Sequence, residues 1–251
     1  MSMLVTGSIA YDTIMVFPDR FRNHLLADQL HILNVCFLTP QMRREFGGTA
    51  GNIAYNLKLL GESPLVMATV GEDSGPYLER LRRLGISTAL LKQIPGQFTA
   101  QAFITTDLDD NQITAFHPGA MNFAHENHIT GELGARLAII APDGKEGMLQ
   151  HARECAEHRI DIMFDPGQGL PMFSGQELDG FLKLARYVAV NDYEGKLLSE
   201  RRRVQHLRAA SEAELLDDPG RIRRPPRDVT AVVAQVLAVG RPAPRLRAGD
   251  E

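Results

Sequence analysis

The sequence predicts an α/β protein with a mostly parallel sheet, helices on both faces of that sheet and a small additional β-layer. In the second half of the chain, short apolar segments alternate with segments of helical periodicity, which is typical of parallel strands joined by helices. The first half also contains apolar segments outside this alternation. They predict the separate β-layer, with strands near 15–18 and 30–38 and a hairpin over 98–116.

Each element of the main sheet has its own signal. Predicted strands end at glycine or at a polar residue, and predicted helices carry one apolar stripe. The second helix follows Gly71 and ends at Gly85, and its stripe consists of Tyr77, Leu78, Leu81 and Leu84. We therefore expect strands at 3–9, 65–70, 137–141, 160–164 and 187–190, helices after Gly48 and Gly71, and further helices at 145–158 and 176–185.

Polar side chains follow several of the predicted strands. Asp12 lies just beyond the first strand, Asp165 follows the strand at 160–164, and Asn191 follows the strand at 187–190. Ligands of doubly wound sheets bind beyond the carboxyl ends of the strands. The sequence therefore predicts that these three residues point into one crevice.

Composition excludes several classes of function. The formal net charge of −4 gives no reason to expect nucleic acid or a membrane surface as a partner. The N-terminal residues lack the basic region and cleavage site of a signal peptide. Two cysteines cannot form a disulfide framework, and the spacing of Cys and His residues matches no structural metal site. We expect a cytoplasmic location and no direct metal ligand.

A glycine pair followed by a helix is the most informative segment. Gly47 and Gly48 permit a tight turn and a close approach of the backbone to a ligand. Asn52 stands in the first turn of the following helix, and its amide offers both donors and an acceptor. This combination suits the vicinal hydroxyls of a sugar.

Four blocks of sequence together resemble the ribokinase-like (pfkB) family of carbohydrate and nucleoside kinases, most closely bacterial adenosine kinases. They are GSIAYD at 7–12, GGTAGN at 47–52, FHPGAM at 116–121 and VNDYE at 190–194. The resemblance covers residues 3–198. It implies a ribokinase-like α/β domain over 1–200, in which the small β-layer (about 15–40 and 98–116) is a lid that covers the substrate.

The resemblance also implies roles for individual residues. The carboxylate of Asp12 would accept hydrogen bonds from two sugar hydroxyls, and Gly47, Gly48 and Asn52 would hold the same sugar. Phe116 would stack on the base. Three further substrate-binding residues are implied, namely Ser8, Gln101 and Gln168. Cys36 falls in a predicted lid strand, where we expect a buried apolar side chain.

The cofactors implied by the resemblance are ATP and Mg²⁺. Asn191 and Glu194 match the family's Asn-x-x-Glu motif, which organises water, Mg²⁺ and the nucleotide phosphates. Intact relatives transfer the γ-phosphoryl group of ATP to the 5′-hydroxyl of adenosine. A lid-mediated homodimer is a further expectation.

The sequence departs from the family pattern near its C-terminus. The family's late motif, Asp-(Pro/Thr)-Thr-Gly-(Ala/Cys)-Gly-Asp, supplies the catalytic base and the anion hole. The nearest string here, at 247–250, lacks the first glycine and the preceding residues. No catalytic residue is therefore identified, and we expect the chain as written to be inactive, with the C-terminal part of the fold truncated or replaced.

Residues 201–251 differ in composition from the rest of the chain. They contain eleven arginines and no lysine, and they hold five of the fourteen prolines. We interpret this segment as a disordered tail or as the product of a shifted reading frame. Two alternatives to an adenosine kinase stay open: another sugar kinase, such as a ribokinase or fructokinase, and a nucleoside-binding protein without catalytic activity.

Overall fold

A computed structural model describes residues 3–25, 31–32 and 34–201, and these residues form two β-sheets and five α-helices. The strands are β1 (Met3–Thr6), β2 (Ala10–Val16), β3 (Gln41–Gly47), β4 (Leu65–Val70), β5 (Ser87–Gln93), β6 (Ala100–Thr106), β7 (Gln112–His117), β8 (Leu137–Ile140), β9 (Asp161–Phe164) and β10 (Tyr187–Val188). The helices are α1 (Thr49–Leu59), α2 (Gly75–Arg83), α3 (Lys145–Glu157), α4 (Gly175–Leu184) and α5 (Asp192–Arg201).

The larger sheet has six parallel strands in the order β10-β9-β8-β1-β4-β5. Successive side chains of a strand point to opposite faces, and each face has its own core. On one face Val5 and Ala68 pack with residues of α1 and α2. On the other face Leu4 and Ile162 pack with α3, α4 and α5. Burial of both faces explains why these strands are nearly continuous apolar runs.

The smaller sheet has four strands in the order β3-β2-β6-β7, of which only β2 and β6 are parallel. The register places Glu45, Asp12, Ala102 and Phe116 in one row across the sheet. The next row contains Phe46, Tyr11, Gln101 and His117. Because side chains alternate along each strand, the two rows occupy opposite faces. We call these the Asp12 face and the Tyr11 face.

The predicted architecture is confirmed, with a parallel sheet covered by helices and a separate β-layer. The strand predicted at 65–70 has the predicted bounds, and the predicted hairpin is formed by β6 and β7. The domain boundary predicted at residue 200 stays a prediction, because the arginine-rich segment beyond Arg201 lies outside the described residues.

Two predictions about the small sheet are wrong. β2 begins at Ala10 rather than near residue 15, so Asp12 lies inside a strand of the small sheet and not beyond the end of β1. The described residues within 30–38 form no strand. In this segment Phe37 packs against an aromatic cluster, with ring centroids 4.9 Å from Phe17 and 4.9 Å from Phe21. Phe37 therefore serves side-chain packing instead of strand pairing, whereas Ile32 and Leu38 are exposed.

The prediction for Cys36 is also wrong, because its side chain is exposed. The described residues on either side of it, 34–40, belong to neither sheet. β5 was not predicted, because its mixture of polar and apolar residues gives no clear alternation. Within the described ranges, no helix has the length and apolar character required to cross a bilayer.

Candidate functional site

The floor of the crevice is a junction of three chain segments at the carboxyl end of the large sheet. The backbone N–H of Ser8 donates to Thr49 Oγ1 at 3.0 Å and to the Pro142 carbonyl at 3.1 Å. The hydroxyl of Thr49 donates to the same carbonyl at 2.9 Å, and the backbone N–H of Thr49 donates to Ser8 Oγ at 3.1 Å. These bonds fix the chain after β1, the start of α1 and the second residue after β8 against one another.

Two glycines bring the chain close to this junction. Gly48 has a φ of 88°, and a Cβ there would lie 2.5 Å from the Ser8 carbonyl oxygen. A Cβ on Gly47 would lie 2.2 Å from Oδ2 of Asp12. Only glycine satisfies both the left-handed backbone and the close approach at residue 48. At residue 47, the missing side chain leaves room for the Asp12 carboxylate.

The carboxylate of Asp12 is half-buried and accepts no hydrogen bond from any residue that the structure describes. Burial raises the pKa of this carboxyl, and the nearby charge of Glu45 raises it further. A carboxylate is an acceptor only, so it needs donors from outside the described chain. A pair of hydroxyl groups would supply them.

Phe116 shares the Asp12 face and lies two strands away, with Ala102 between them. Adjacent strands are about 4.8 Å apart, which separates Asp12 and Phe116 by roughly 10 Å across the sheet. The ring of Phe116 is half exposed. Ala102 has a side chain too small to fill the space between them. The Asp12 face thus places a hydrogen-bond acceptor, a small side chain and an aromatic ring in one row.

Asn52 is exposed in the first turn of α1, and its N–H donates to the Gly48 carbonyl at 3.0 Å. The structure therefore brings Ser8, Asp12, Gly47, Gly48 and Asn52 together where α1 begins. Gln168 is exposed in the 3₁₀ helix Gly167–Met172, which follows β9 at the same end of the large sheet. The residue before it packs on Pro142, so Gln168 lies at the edge of the same crevice.

Gln101 is not part of this group. It lies on the Tyr11 face, opposite Asp12 and Phe116, and its amide donates to Asp73 Oδ2 at 3.2 Å. The family resemblance placed it in the substrate pocket. The alternation of side chains along β6 turns it to the other face.

Asn191 and Glu194 form a reciprocal cap at the start of α5. The N–H of Glu194 donates to Asn191 Oδ1 at 2.8 Å, and the N–H of Asn191 donates to Glu194 Oε2 at 3.0 Å. Burial raises the pKa of the neighbouring Asp165 carboxyl to about 6, and the charge of Glu194 adds to this effect. The carboxyl groups of Asp165 and Glu194 therefore lie close enough beyond β9 and β10 for their charges to interact. Within the described residues no cluster of three or more His, Cys, Asp or Glu side chains could hold a metal ion.

Some residues that shape the site without facing it were not predicted from the sequence. The hydroxyl of Tyr77 donates to the Gly47 carbonyl at 2.6 Å, and Tyr77 was predicted only as part of a helix core. Thr49 and Pro142 complete the floor of the crevice. A threonine directly after two glycines is the one signal that indicated such a role, because it begins a helix at a tight turn.

Residues 13–217 match the sequence profile of the pfkB family of carbohydrate kinases. The chain belongs to this family. The large sheet, its helices and the small sheet form a ribokinase-like fold. In the structure of a Burkholderia thailandensis nucleoside kinase in complex with inosine, the matched region is 53% identical, with a TM-score of 0.69, and covers 79% of this chain and 63% of that one. The same kinase in complex with ADP-inosine gives a TM-score of 0.67 at 54% identity, covering 80% of this chain and 63% of that one.

A nucleoside kinase of Methanocaldococcus jannaschii is 30% identical over 163 residues, which are 64% of this pfkB-family chain and 53% of that protein. The chain thus spans about half the length of the curated nucleoside kinases that it matches first. The pfkB family consists of phosphotransferases, and the described residues contain the part of the fold on which the crevice is built.

Proposed function

We propose that this chain binds a purine nucleoside as the acceptor substrate of a nucleoside kinase. The ribose hydroxyls donate to the Asp12 carboxylate, and the base extends across Ala102 toward the ring of Phe116. The row formed by these residues on the Asp12 face carries the proposal. A kinase for a simple sugar needs only the hydrogen-bond acceptor, Asp12. The small side chain of Ala102 and the aromatic ring of Phe116 two strands away are suited to a base.

The relatives support this assignment. The Burkholderia thailandensis nucleoside kinase, whose matched region is about half identical to this chain, was solved with inosine. Adenosine is the nucleoside that the sequence resemblance implies, and inosine differs from it only at position 6 of the purine. We propose that the ribose contacts are common to both nucleosides and that the base contacts choose between them.

The phosphate side of the reaction would involve ATP and Mg²⁺. Asp165 and Glu194 are the carboxylates beyond β9 and β10 that suit a hard cation with oxygen ligands. When bound, Mg²⁺ would neutralise charge on the nucleotide phosphates. Oε2 of Glu194 accepts a hydrogen bond from the N–H of Asn191 at the start of α5. This bond holds the carboxylate in place, so its role would be to orient water or the metal ion.

Catalysis requires a base near the 5′-hydroxyl and donors for the transferred phosphoryl group. The late glycine-rich motif that provides them in the family does not occur in this sequence. Loss of a positioned base alone reduces the rate by about 10²–10⁴-fold. We therefore propose nucleoside binding with little or no turnover for this chain as written, in the cytoplasm, whereas a role in purine salvage would require a complete phosphoryl-transfer site.

The decisive experiment is calorimetry on the purified chain with adenosine, inosine, ribose and a non-hydrolysable ATP analogue, together with a coupled kinase assay. We expect both nucleosides to bind more tightly than ribose, and Asp12→Asn to abolish most of this binding. Glu79→Gln is the matched control, since Glu79 is an exposed acidic residue of α2 that pairs with Arg83. Ribose binding as tight as that of the nucleosides would favour a sugar kinase. Turnover would show that the chain does supply a base.

We also propose that the Tyr11 face mediates a homodimer. Three of its large apolar side chains, Met42, Phe103 and Ile113, are exposed. Met42 and Ile113 lie in one row of the register, with Met15 and Thr105 between them, and Phe103 lies in the next row on the same face. An exposed apolar patch of this kind marks an interaction site. Sedimentation of the wild-type chain and of Phe103→Glu tests this proposal, because the substitution would shift a dimer to monomers.

A further inference from the structure

One residue links the large sheet to most of the small sheet. Asp73 lies in the 3₁₀ helix Glu72–Ser74, directly after β4. Its Oδ1 accepts the N–H of Thr99 at 2.7 Å. Its Oδ2 accepts the side-chain amide of Gln101 at 3.2 Å and pairs with the guanidinium of Arg44 at 3.3 Å.

The backbone of Asp73 adds a further contact. Its carbonyl accepts the hydroxyl of Tyr11 at 3.1 Å. The guanidinium carbon of Arg44 lies 3.7 Å from the centre of the Tyr11 ring, which places a cation over an aromatic face. Through Tyr11, Arg44 and Gln101, Asp73 therefore reaches β2, β3 and β6, which are three of the four strands of the small sheet.

These contacts lie on the Tyr11 face, opposite to Asp12 and Phe116. Asp73 thus does not face the proposed nucleoside. Its contacts go to the small sheet that carries Asp12. The ion pair is partly open to solvent, since the side chains of Arg44 and Asp73 are 46% and 21% exposed. Such a pair is weakened by salt and can open and close.

We propose that Asp73 is a positioning residue that holds the small sheet against the crevice and thereby sets the rate at which the nucleoside dissociates. This inference rests on the proposed function, because it takes the nucleoside to be bound under the Asp12 face. Opening of the Asp73 contacts releases β3 and β6 together. The Asp12 face then moves away from the junction of Ser8 and Thr49, and the nucleoside leaves.

The test compares Asp73→Asn and Arg44→Met with the wild-type chain and with Glu79→Gln as control. Asp73→Asn keeps the size of the side chain but removes its charge, and Arg44→Met keeps the aliphatic stem. Amide hydrogen exchange is measured without ligand over peptides covering 41–47 and 99–106. Dissociation of inosine is measured by stopped flow at low and high salt, and melting temperatures report on folding.

We expect faster exchange in both peptides, in both variants, with no change in β1 and β8. Inosine should dissociate about tenfold faster from Asp73→Asn, as expected for loss of a charge-assisted hydrogen bond. Added salt should speed dissociation from the wild-type chain but not from Asp73→Asn, since only the wild type has an ion pair to screen.

Unchanged exchange in both peptides would overturn the proposal. Faster exchange with an unchanged dissociation rate would also overturn it, because Asp73 would then stabilise the sheet without positioning it. If the wild-type chain bound neither inosine nor adenosine, the proposed function would fail, and with it the effect on dissociation. Exchange without ligand would still decide whether Asp73 holds the small sheet.

Discussion

The carboxylate of Asp12 occupies the space beside the α-carbon of Gly47, where a Cβ would lie 2.2 Å from Oδ2 and 2.7 Å from Cγ. Gly47 is the last residue of β3, and its backbone does not require a positive φ. The reason for glycine at this position is therefore the neighbouring side chain. The glycine turn and the acidic residue, which are 35 positions apart in the sequence, form one binding element.

This relationship predicts the effect of Gly47→Ala. The methyl group should displace the Asp12 carboxylate and weaken nucleoside binding by about ten- to a hundredfold, the range for loss of one charge-assisted hydrogen bond. Calorimetry with inosine measures the change. Gly180→Ala is the matched control, because a Cβ there meets no atom within 4 Å. Equal affinities of Gly47→Ala and the control would contradict this assignment.

Ala102 should determine whether a base fits beside the ribose. Ala102→Leu places a larger side chain between Asp12 and Phe116, and we expect it to weaken inosine binding by about ten- to a hundredfold, equivalent to roughly 1–3 kcal/mol of overpacking. Ribose, which lacks a base, should be affected much less.

The control for this substitution is Ala115→Leu. Ala115 pairs with Phe103 and lies on the Tyr11 face of the same small sheet. Ala115→Leu therefore introduces the same side chain on the face that lies away from the proposed base. An equal loss of inosine affinity in both variants would show that the small sheet had been disturbed as a whole.

The sequence was sufficient to predict those parts of the molecule in which the local pattern of apolar residues agrees with their burial. β4, β8 and β9 are buried on both faces, and their apolar runs were predicted within a few residues. Asp12 and the two glycines were also predicted as parts of one site. Their proximity was expected from the family resemblance, and the register of β2 and β3 provides its physical basis.

The small sheet was predicted less well because little of it is buried. β7 is exposed along its whole length, so its apolar residues do not report which face of the sheet is covered. Without the register, Gln101 could not be separated from Ala102, although their side chains point to opposite faces. The contacts of Tyr77 and Asp73 depend on residues far apart in sequence and left no local signal.

Tyr77 should support the glycine turn through its hydroxyl. Tyr77→Phe removes the 2.6 Å hydrogen bond to the buried Gly47 carbonyl, and we expect it to lower the free energy of unfolding by about 1–3 kcal/mol. Urea unfolding measures this change. Tyr187→Phe is the control, because the Tyr187 hydroxyl has no hydrogen bond to a residue of the described chain, and it should have a smaller effect.

Gly51 and Tyr77 should show energetic coupling. A Cβ on Gly51 would lie 2.0 Å from the Tyr77 hydroxyl but 3.1 Å from the ring carbon that bears it. Gly51→Ala should therefore destabilise the wild-type chain more than it destabilises Tyr77→Phe. A double-mutant cycle of unfolding free energies measures the difference. Additive effects would indicate that the hydroxyl does not fill the space beside Gly51.

Asp143 should make the stability of the chain depend on pH. Its carboxyl is fully buried, Oδ2 has no hydrogen-bond partner among the described residues, and burial raises its pKa to about 7. In the unfolded chain the same group ionises near pH ~4. Because the folded state holds the proton more tightly, this carboxyl favours folding at low pH, and its contribution declines as the pH rises from about 4 to 7. The decline is on the order of 4 kcal/mol.

Asp143→Asn cannot ionise. Its melting temperature should therefore rise relative to that of the wild type between pH 4 and pH 7, and the difference should then stay constant. Glu79→Gln, the control, should show no such trend. If the melting temperatures of Asp143→Asn and the wild type differed by the same amount at pH 4 and pH 8, the prediction would be wrong, because Asp143 would then ionise in the folded chain at no cost.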